Sequence, residues 1–294
     1  MSPKIYAISG PTAVGKTTAA ISLAKKLGGE IISFDSRQVY KELNIGVARP
    51  SIQELSEVKH HLIAYKSIHD AYSVGEYLED FKQVLSTISS QNVILCGGTG
   101  LYLKAIEYGL DNLPKIDPKI RLEFEQELET KGIDHIQKLA EKIDPKAYQN
   151  IDIQNPRRLQ RIIETYRQSG LIYSDILTND ESKKYTIKHL VLDIPRNVLY
   201  QKIEARVDQM ILDGQESEAE SLYPFRHLQA LQTVGYSELF DFIDGKYSKE
   251  YAIDKIKQHT RNYAKRQMTW NRSNIADAQW INPIENKSWI DDML

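Results

Sequence analysis

An α/β fold is predicted, with a parallel sheet flanked by helices around a phosphate-binding loop and an all-helical domain inserted into it. Three observations predict it. Gly10-Pro11-Thr12-Ala13-Val14-Gly15-Lys16-Thr17 follows the apolar run Ile5-Tyr6-Ala7-Ile8 and precedes the helix-forming Thr18-Ala19-Ala20-Ile21-Ser22-Leu23-Ala24, the strand, glycine loop and helix start that a phosphate cradle requires. Two further short apolar runs, residues 30–34 and 92–96, each deliver a polar or glycine-rich turn at the carboxyl end, where ligands bind in an open α/β sheet. Finally, from Asp117 to about Lys188 the pattern is helical and punctuated by Pro118, Pro145 and Pro156, after which Ile187-Lys188-His189-Leu190-Val191-Leu192 returns to a strand. The expected division is therefore a core of residues 1–114 and 186–294 interrupted by a helical domain of residues 115–185.

In the first loop the glycines let backbone N–H groups turn onto an anion, the helix N-terminus adds partial positive charge, and Lys16 reaches the outer phosphate. Thr17 offers its hydroxyl to Mg²⁺. The helix runs to Leu27 and stops at Gly28-Gly29. The next strand delivers Asp35-Ser36-Arg37-Gln38 to the same crevice. Asp35 suits a base that accepts a proton from an acceptor substrate; a turn residue or a Mg²⁺ partner are the alternatives. Residues 45–50 read as a loop, Ser51 as the N-cap of a short helix, and Ser73-Val74-Gly75-Glu76 as a capping box opening a helix to about Ile88. His60-His61 invites a metal reading, but no other ligand sits nearby, so structural or acceptor-site histidines are expected. Gly97-Gly98-Thr99-Gly100-Leu101-Tyr102 places a second glycine turn and a Thr hydroxyl in the crevice. A helix from Val198 to Leu212 carries Arg206, which either lies on the surface or clamps the diphosphate from the opposite wall.

At 294 residues the chain has room for one domain with a large insertion or for two domains, and 41% hydrophobic with 27% charged residues is ordinary for a globular protein. No apolar run approaches a membrane span, and strand one begins at once, leaving no room for a signal peptide; cytoplasmic residence and a monomer are expected. The single Cys96 excludes an internal disulfide and a multi-cysteine zinc site. A net charge of −2 does not advertise nucleic acid. Its distribution does, however: Arg157, Arg158, Arg161 and Arg167 share one helix with the single acid Glu164, and Lys257, Arg261 and Lys265 recur every four residues beside Arg266 and Arg272, with Tyr263 and Trp270 interleaved. Two such faces suggest a polyanion larger than a nucleotide, held through its backbone with aromatics available for stacking.

The sequence resembles the tRNA dimethylallyltransferase family. The match is spread over 10–17, Asp-Ser-Arg-Gln-Val-Tyr at 35–40, His-His-Leu at 60–62, 97–102, Arg157-Arg158-Leu159-Gln160-Arg161, Arg206, Val234-Gly235-Tyr236 and residues 260–270. The resemblance implies a P-loop-type core whose loop holds dimethylallyl diphosphate rather than ATP, with an inserted domain that grips the anticodon stem-loop of tRNA. It implies a diphosphate site of Gly10, Thr12, Ala13, Val14, Gly15, Lys16 and Thr17, with Thr99 and Arg206. It also implies tRNA contacts from Asp35, Ser36, Arg37, Gln38 and Leu101, from Arg121, Arg157, Arg158, Leu159, Gln160 and Arg161, and from Arg261 and Lys265. Asp35, Thr17 and Arg206 are the expected catalytic residues, with Mg²⁺ as cofactor at Thr17. Two positions depart from the family pattern, Arg49 where Lys is common and Ala64 where an acid is common, so neither is given a catalytic duty. The paired cysteines of eukaryotic relatives are absent, which points to the bacterial type.

Overall fold

A computed structural model describes residues 3–178 and 182–293. The chain begins with β1 (Lys4–Ser9), turns through the glycine loop into α1 (Lys16–Leu27), and continues as β2 (Glu30–Ser33), α2 (Ile52–Glu57), β3 (His60–His61), α3 (Val74–Thr87), β4 (Asn92–Cys96) and α4 (Gly100–Tyr108). A helical run follows: α5 (Pro118–Ile143), α6 (Pro145–Asn150), α7 (Pro156–Ser169) and α8 (Tyr173–Ile176). The sheet resumes with β5 (Ile187–Leu192), after which come α9 (Arg196–Leu212), α10 (Gln215–Leu222), α11 (Tyr236–Ile243), α12 (Lys249–Asn274) and β6 (Gln279–Ile281).

Among the described residues six strands form one sheet in the order β3-β2-β4-β1-β5-β6, every neighbouring pair parallel. Strands covered on both faces must be apolar on both, and alternate residues then feed two different layers. Ile5 and Ala7 accordingly pack with Tyr77, Phe81, Leu103 and Ile106 of α3 and α4. Ile8 faces the other way, onto Leu23 and Ala24 of α1, Ile203 of α9 and Ala264 of α12. A third cluster joins Val39 and Leu43 to Tyr236, Leu239 and Phe240 of α11 and Ala219 of α10.

The contacts divide the chain into a unit of residues 1–109 and 183–294 and a unit of residues 110–182, edges a few residues from the expected 115 and 186. The smaller unit has its own core of Phe124, Ile136, Ala140, Leu159, Ile162 and Ile163. Its helices start where short polar side chains cap free N–H groups: Asn155 Oδ1 accepts from Arg157 N at 3.1 Å, and buried Asp144 accepts from Ala147 N at 2.9 Å. Gly132, at φ +75°, interrupts α5.

Ser73 and Glu76 form the capping box that the sequence predicts, and Ser51, predicted as an N-cap, forms one as well with Glu54. Two strands were not expected. β3 is the His-His pair itself, and β6 is three residues long; both are sheet edges too short to carry a period-two signal, and only the register with β2 and β5 makes them strands.

Candidate active site

The glycine loop leaves β1 in the interior of the sheet, between β4 and β5. Gly10 stands at φ +140°, and a Cβ there would lie 2.6 Å from the Leu192 carbonyl oxygen of β5, so the loop closes against the sheet only with glycine. Lys16, the first residue of α1, donates to Gly10 O at 3.1 Å and to Pro11 O at 2.8 Å. Burial lowers its pKa to about 8, with Arg206 adding to the fall and Cys96 and Asp35 opposing it. The Cys96 thiol is itself pushed up to about 12 by burial, with Lys16 opposing the rise. Burial also lowers the half-buried Arg206 guanidinium from its ordinary value, opposed by the charge of Asp35. The charges of Lys16, Arg206 and Asp35 thus act on one another beside the glycine loop.

Asp35 Oδ1 accepts from Arg37 N at 2.9 Å and Gln38 N at 3.3 Å, closing the turn after β2. Oδ2 takes neither of these bonds, so one oxygen of the carboxylate shapes the turn while the other is left out of it. Ser36 N donates to Thr99 Oγ1 at 3.0 Å, and Thr99 Oγ1 lies 3.2 Å from Ser36 Oγ. The Thr99 hydroxyl is therefore engaged with Ser36 in the Asp35 turn. The Arg37 guanidinium donates to the carbonyls of Gln229 at 3.1 Å, Ala230 at 3.3 Å and Gln232 at 3.4 Å, fixing the turn before α11. Gln38 Nε2 likewise donates to Val47 O at 3.2 Å and Ala48 O at 3.1 Å. Leu101, on α4, is 55% exposed and open to a ligand.

The two basic faces differ once their partners are in place. On α12, Arg261 pairs with Glu204 at 2.8 Å, Lys257 with Asp208 at 2.6 Å and Arg272 with Asp193 at 3.4 Å. Lys265 and Arg266 are exposed and make no ion pair among the described residues. On α7, Arg157 and Arg158 are exposed, and neither they nor Arg161 make an ion pair among the described residues. Arg167 bonds Glu127 at 2.5 Å, and Arg121 lies 3.6 Å from Glu164, whose carboxylate also accepts from Gln160 at 2.7 Å. Leu159 is corrected: its side chain is fully buried in the helical core and has no surface for tRNA.

Gln267 has no place in the sequence reading beyond its stretch. Its Oε1 accepts from Thr12 N at 2.8 Å and its Nε2 donates to Gly98 O at 3.2 Å, tying the first glycine loop to the second. Three residues on, Trp270 presses on α4: a Cβ at Gly100 would lie 2.3 Å from its ring. Tyr263, on the same helix, has its phenol pushed up to about 12 by burial and then by Asp35. The signal for Gln267 lies 255 residues from its partner, out of reach of any local pattern. The histidines are structural or line a cavity: His61 bonds Glu30 at 2.6 Å, His60 bonds Val58 O at 2.8 Å, and no cluster of His, Cys, Asp or Glu among the described residues suits a metal.

Comparison with known proteins decides the family, because the sequence model described as IPP transferase matches residues 38–274. The chain belongs to the IPP transferase family. It is 43% identical to the tRNA dimethylallyltransferase of Christiangramia forsetii, over 100% of this chain and 98% of that protein. It is 41% identical to that of Cytophaga hutchinsonii, over 96% and 93%. Among solved structures, the tRNA isopentenylpyrophosphate transferase of Bacillus halodurans matches with a TM-score of 0.72 at 36% identity, over 99% of this chain and 94% of that one. A eukaryotic dimethylallyltransferase described as acting on tRNA matches with a TM-score of 0.83 at 26% identity, over 99% and 77%. The P-loop-type fold with a parallel sheet is shared with these IPP transferase relatives. No helix among the described residues is long and apolar enough to cross a membrane.

Proposed function

We propose that this protein transfers a dimethylallyl group from dimethylallyl diphosphate to N6 of the adenine on the 3′ side of the anticodon in tRNA, releasing diphosphate. The observation that carries the reading is the mutual electrostatic action of Lys16, Arg206 and Asp35 beside a glycine loop. The names of the relatives, tRNA dimethylallyltransferases and a dimethylallyltransferase acting on tRNA, support the same substrates.

The chemistry follows from charge. As the N6 lone pair forms a bond to the allylic C1, the C1–O bond breaks with its electrons going to the diphosphate, and the proton of N6 must leave. Loop N–H groups, Lys16 and Arg206 stabilise the charge growing on the leaving oxygens. Asp35 Oδ2 orients N6 and takes its proton. The target base is extruded from its stack to reach the crevice, where Ser36 and exposed Leu101 border it. Mg²⁺ would fit here: Thr17, at the start of α1, would offer it one hard oxygen, and this ion favours such sparse protein ligation beside phosphates. When bound it neutralises the leaving group.

In this reading the helical unit holds the anticodon stem-loop through the unpaired arginines of α7, and Lys265 and Arg266 of α12 add phosphate contacts. Incubation of purified protein with dimethylallyl diphosphate and unmodified total tRNA, followed by nucleoside analysis, should yield N6-dimethylallyladenosine. Recovery of unmodified adenosine alone would sink the proposal, and phosphoryl transfer from labelled ATP would favour a kinase.

A further inference from the structure

Residues 44–50 form one wall of a cavity of about 830 Å³ that brings Arg49 and Arg206 together with Ile45, Leu55, Ile63 and Met210. Guanidinium groups beside short aliphatic side chains match an anion carrying a small hydrocarbon tail, the chemistry of an allylic diphosphate. That wall lies between β2 and α2 and contains no helix or strand of its own. Ala48 stands at φ +48°, a left-handed conformation that a residue with a Cβ keeps only when its surroundings hold it there.

The holding contacts come from elsewhere in the chain. Glu218 of α10 accepts from Ile45 N at 2.8 Å through Oε2, and from Gly46 N at 3.0 Å and the Tyr236 hydroxyl at 2.5 Å through Oε1. Tyr236 is fully buried; burial and the Glu218 charge raise its pKa well above the ordinary phenol value, so it remains a donor. A Cβ at Gly46 would lie 2.6 Å from the Tyr236 ring, so the loop is pressed flat on that side chain. Gln38 holds the other end of the same loop.

We infer that Glu218 is a positioning residue for the prenyl donor, because its carboxylate fixes the loop that presents Arg49 across the cavity from Arg206. The inference rests on the dimethylallyl-transfer reading above. Backbone bonds from Ala48 N to Ile45 O at 2.9 Å and from Arg49 N to Asn44 O at 3.1 Å shape the turn itself, and the Arg49 guanidinium donates to Lys41 O at 3.2 Å; the Glu218 carboxylate adds the tie that anchors the start of the loop to α10.

The test is steady-state transfer by the full chain at saturating tRNA. Glu218→Gln keeps the shape but removes the charge and one of the two acceptor atoms. The KM for dimethylallyl diphosphate should rise by roughly tenfold, the order expected for one lost charge-assisted hydrogen bond. The KM for tRNA should stay unchanged and kcat should shift by less than about twofold, the pattern of lost ground-state binding. Glu218→Asp, which keeps the charge, should restore part of the donor KM, and Tyr236→Phe should raise it less because both amides keep their acceptor. A lowered melting temperature with wild-type donor KM would make Glu218 a structural clamp and overturn the inference. A collapse of kcat at unchanged KM, or equal losses for donor and tRNA, would overturn it as well. If Glu218→Gln does not fold, Gln38→Ala releases the same loop from its other end, and an unchanged donor KM there counts against the inference. Wild-type protein that transfers nothing from dimethylallyl diphosphate removes the activity reading instead, so the two failures are distinct.

Discussion

Asp35 divides two duties between its oxygens. Because Oδ1 closes the turn by accepting from Arg37 N and Gln38 N, Asp35→Asn preserves the turn and changes only the second position, from an oxygen that can take a proton to an NH₂ that cannot. Turnover should therefore fall by roughly 10²–10⁴-fold with tRNA binding nearly unchanged. A single-turnover Mg²⁺ titration checks this: activity restored by excess metal would make Asp35 a metal partner rather than a base. Lys16 yields a second residue-level prediction. Burial holds its pKa near 8 in the ligand-free site, so the ammonium that meets the diphosphate is present below that pH and lost above it. At saturating tRNA, kcat/KM for the donor should level off below about pH 8 and fall about tenfold per unit above it. A profile flat to pH 9.5 would mean that Lys16 is not needed as a cation. The linked effect on stability has the opposite sign: the buried ammonium is unfavourable in the fold below pH 8, and that penalty disappears as the pH climbs from 8 towards 10.5.

At the scale of elements, α7 and α12 look alike as strings of basic residues and differ as surfaces. Replacing Arg157 and Arg161 together should reduce the slope of log tRNA affinity against log salt by about two units, since each phosphate left without its arginine removes roughly one. Arg261→Ala should change the slope much less, because Glu204 already neutralises that guanidinium. Equal slopes for the double variant and wild type, in filter binding over a salt series, would mean that the α7 arginines are merely solvated. This contrast also marks the limit of what the sequence reveals. The glycine loop, the helix caps at Ser51 and Ser73 and the buried strands are legible because their causes lie within a few residues. Glu204 lies 57 residues from Arg261, and Gln267 lies 255 from Thr12. No periodicity carries such pairings. Leu159 fails for a related reason: it stands amid arginines in a motif, but the helical period turns it inward.

The whole molecule is two compact units on one chain, and the larger is built from two separated segments. The points where the chain leaves and re-enters it are adjacent. Lys184 N donates to Glu107 O at 2.6 Å, and a Cβ at Gly109 would lie 3.5 Å from Lys184 Cε. An insertion whose ends meet constrains its host little, because closing a longer loop adds entropy only logarithmically. Among the described residues, the three apolar clusters of the larger unit are built from residues of that unit, and the cluster of the smaller unit from residues 110–182. Residues 110–182 should therefore be replaceable by a short Gly-Ser linker without unfolding the sheet. The excised protein is expected to melt cooperatively and to gain stability from inorganic diphosphate, since the glycine loop, Lys16 and Arg206 all remain and a ligand that binds only the folded state raises its melting temperature. Its affinity for tRNA should drop by at least about tenfold at moderate salt for every two phosphates that no longer meet an arginine. Thermal melts with and without diphosphate, beside filter binding of tRNA, read the two properties separately. Retention of full tRNA affinity after excision would move the binding surface from α7 to the larger unit, and loss of the diphosphate response would mean that the donor site depends on residues 110–182.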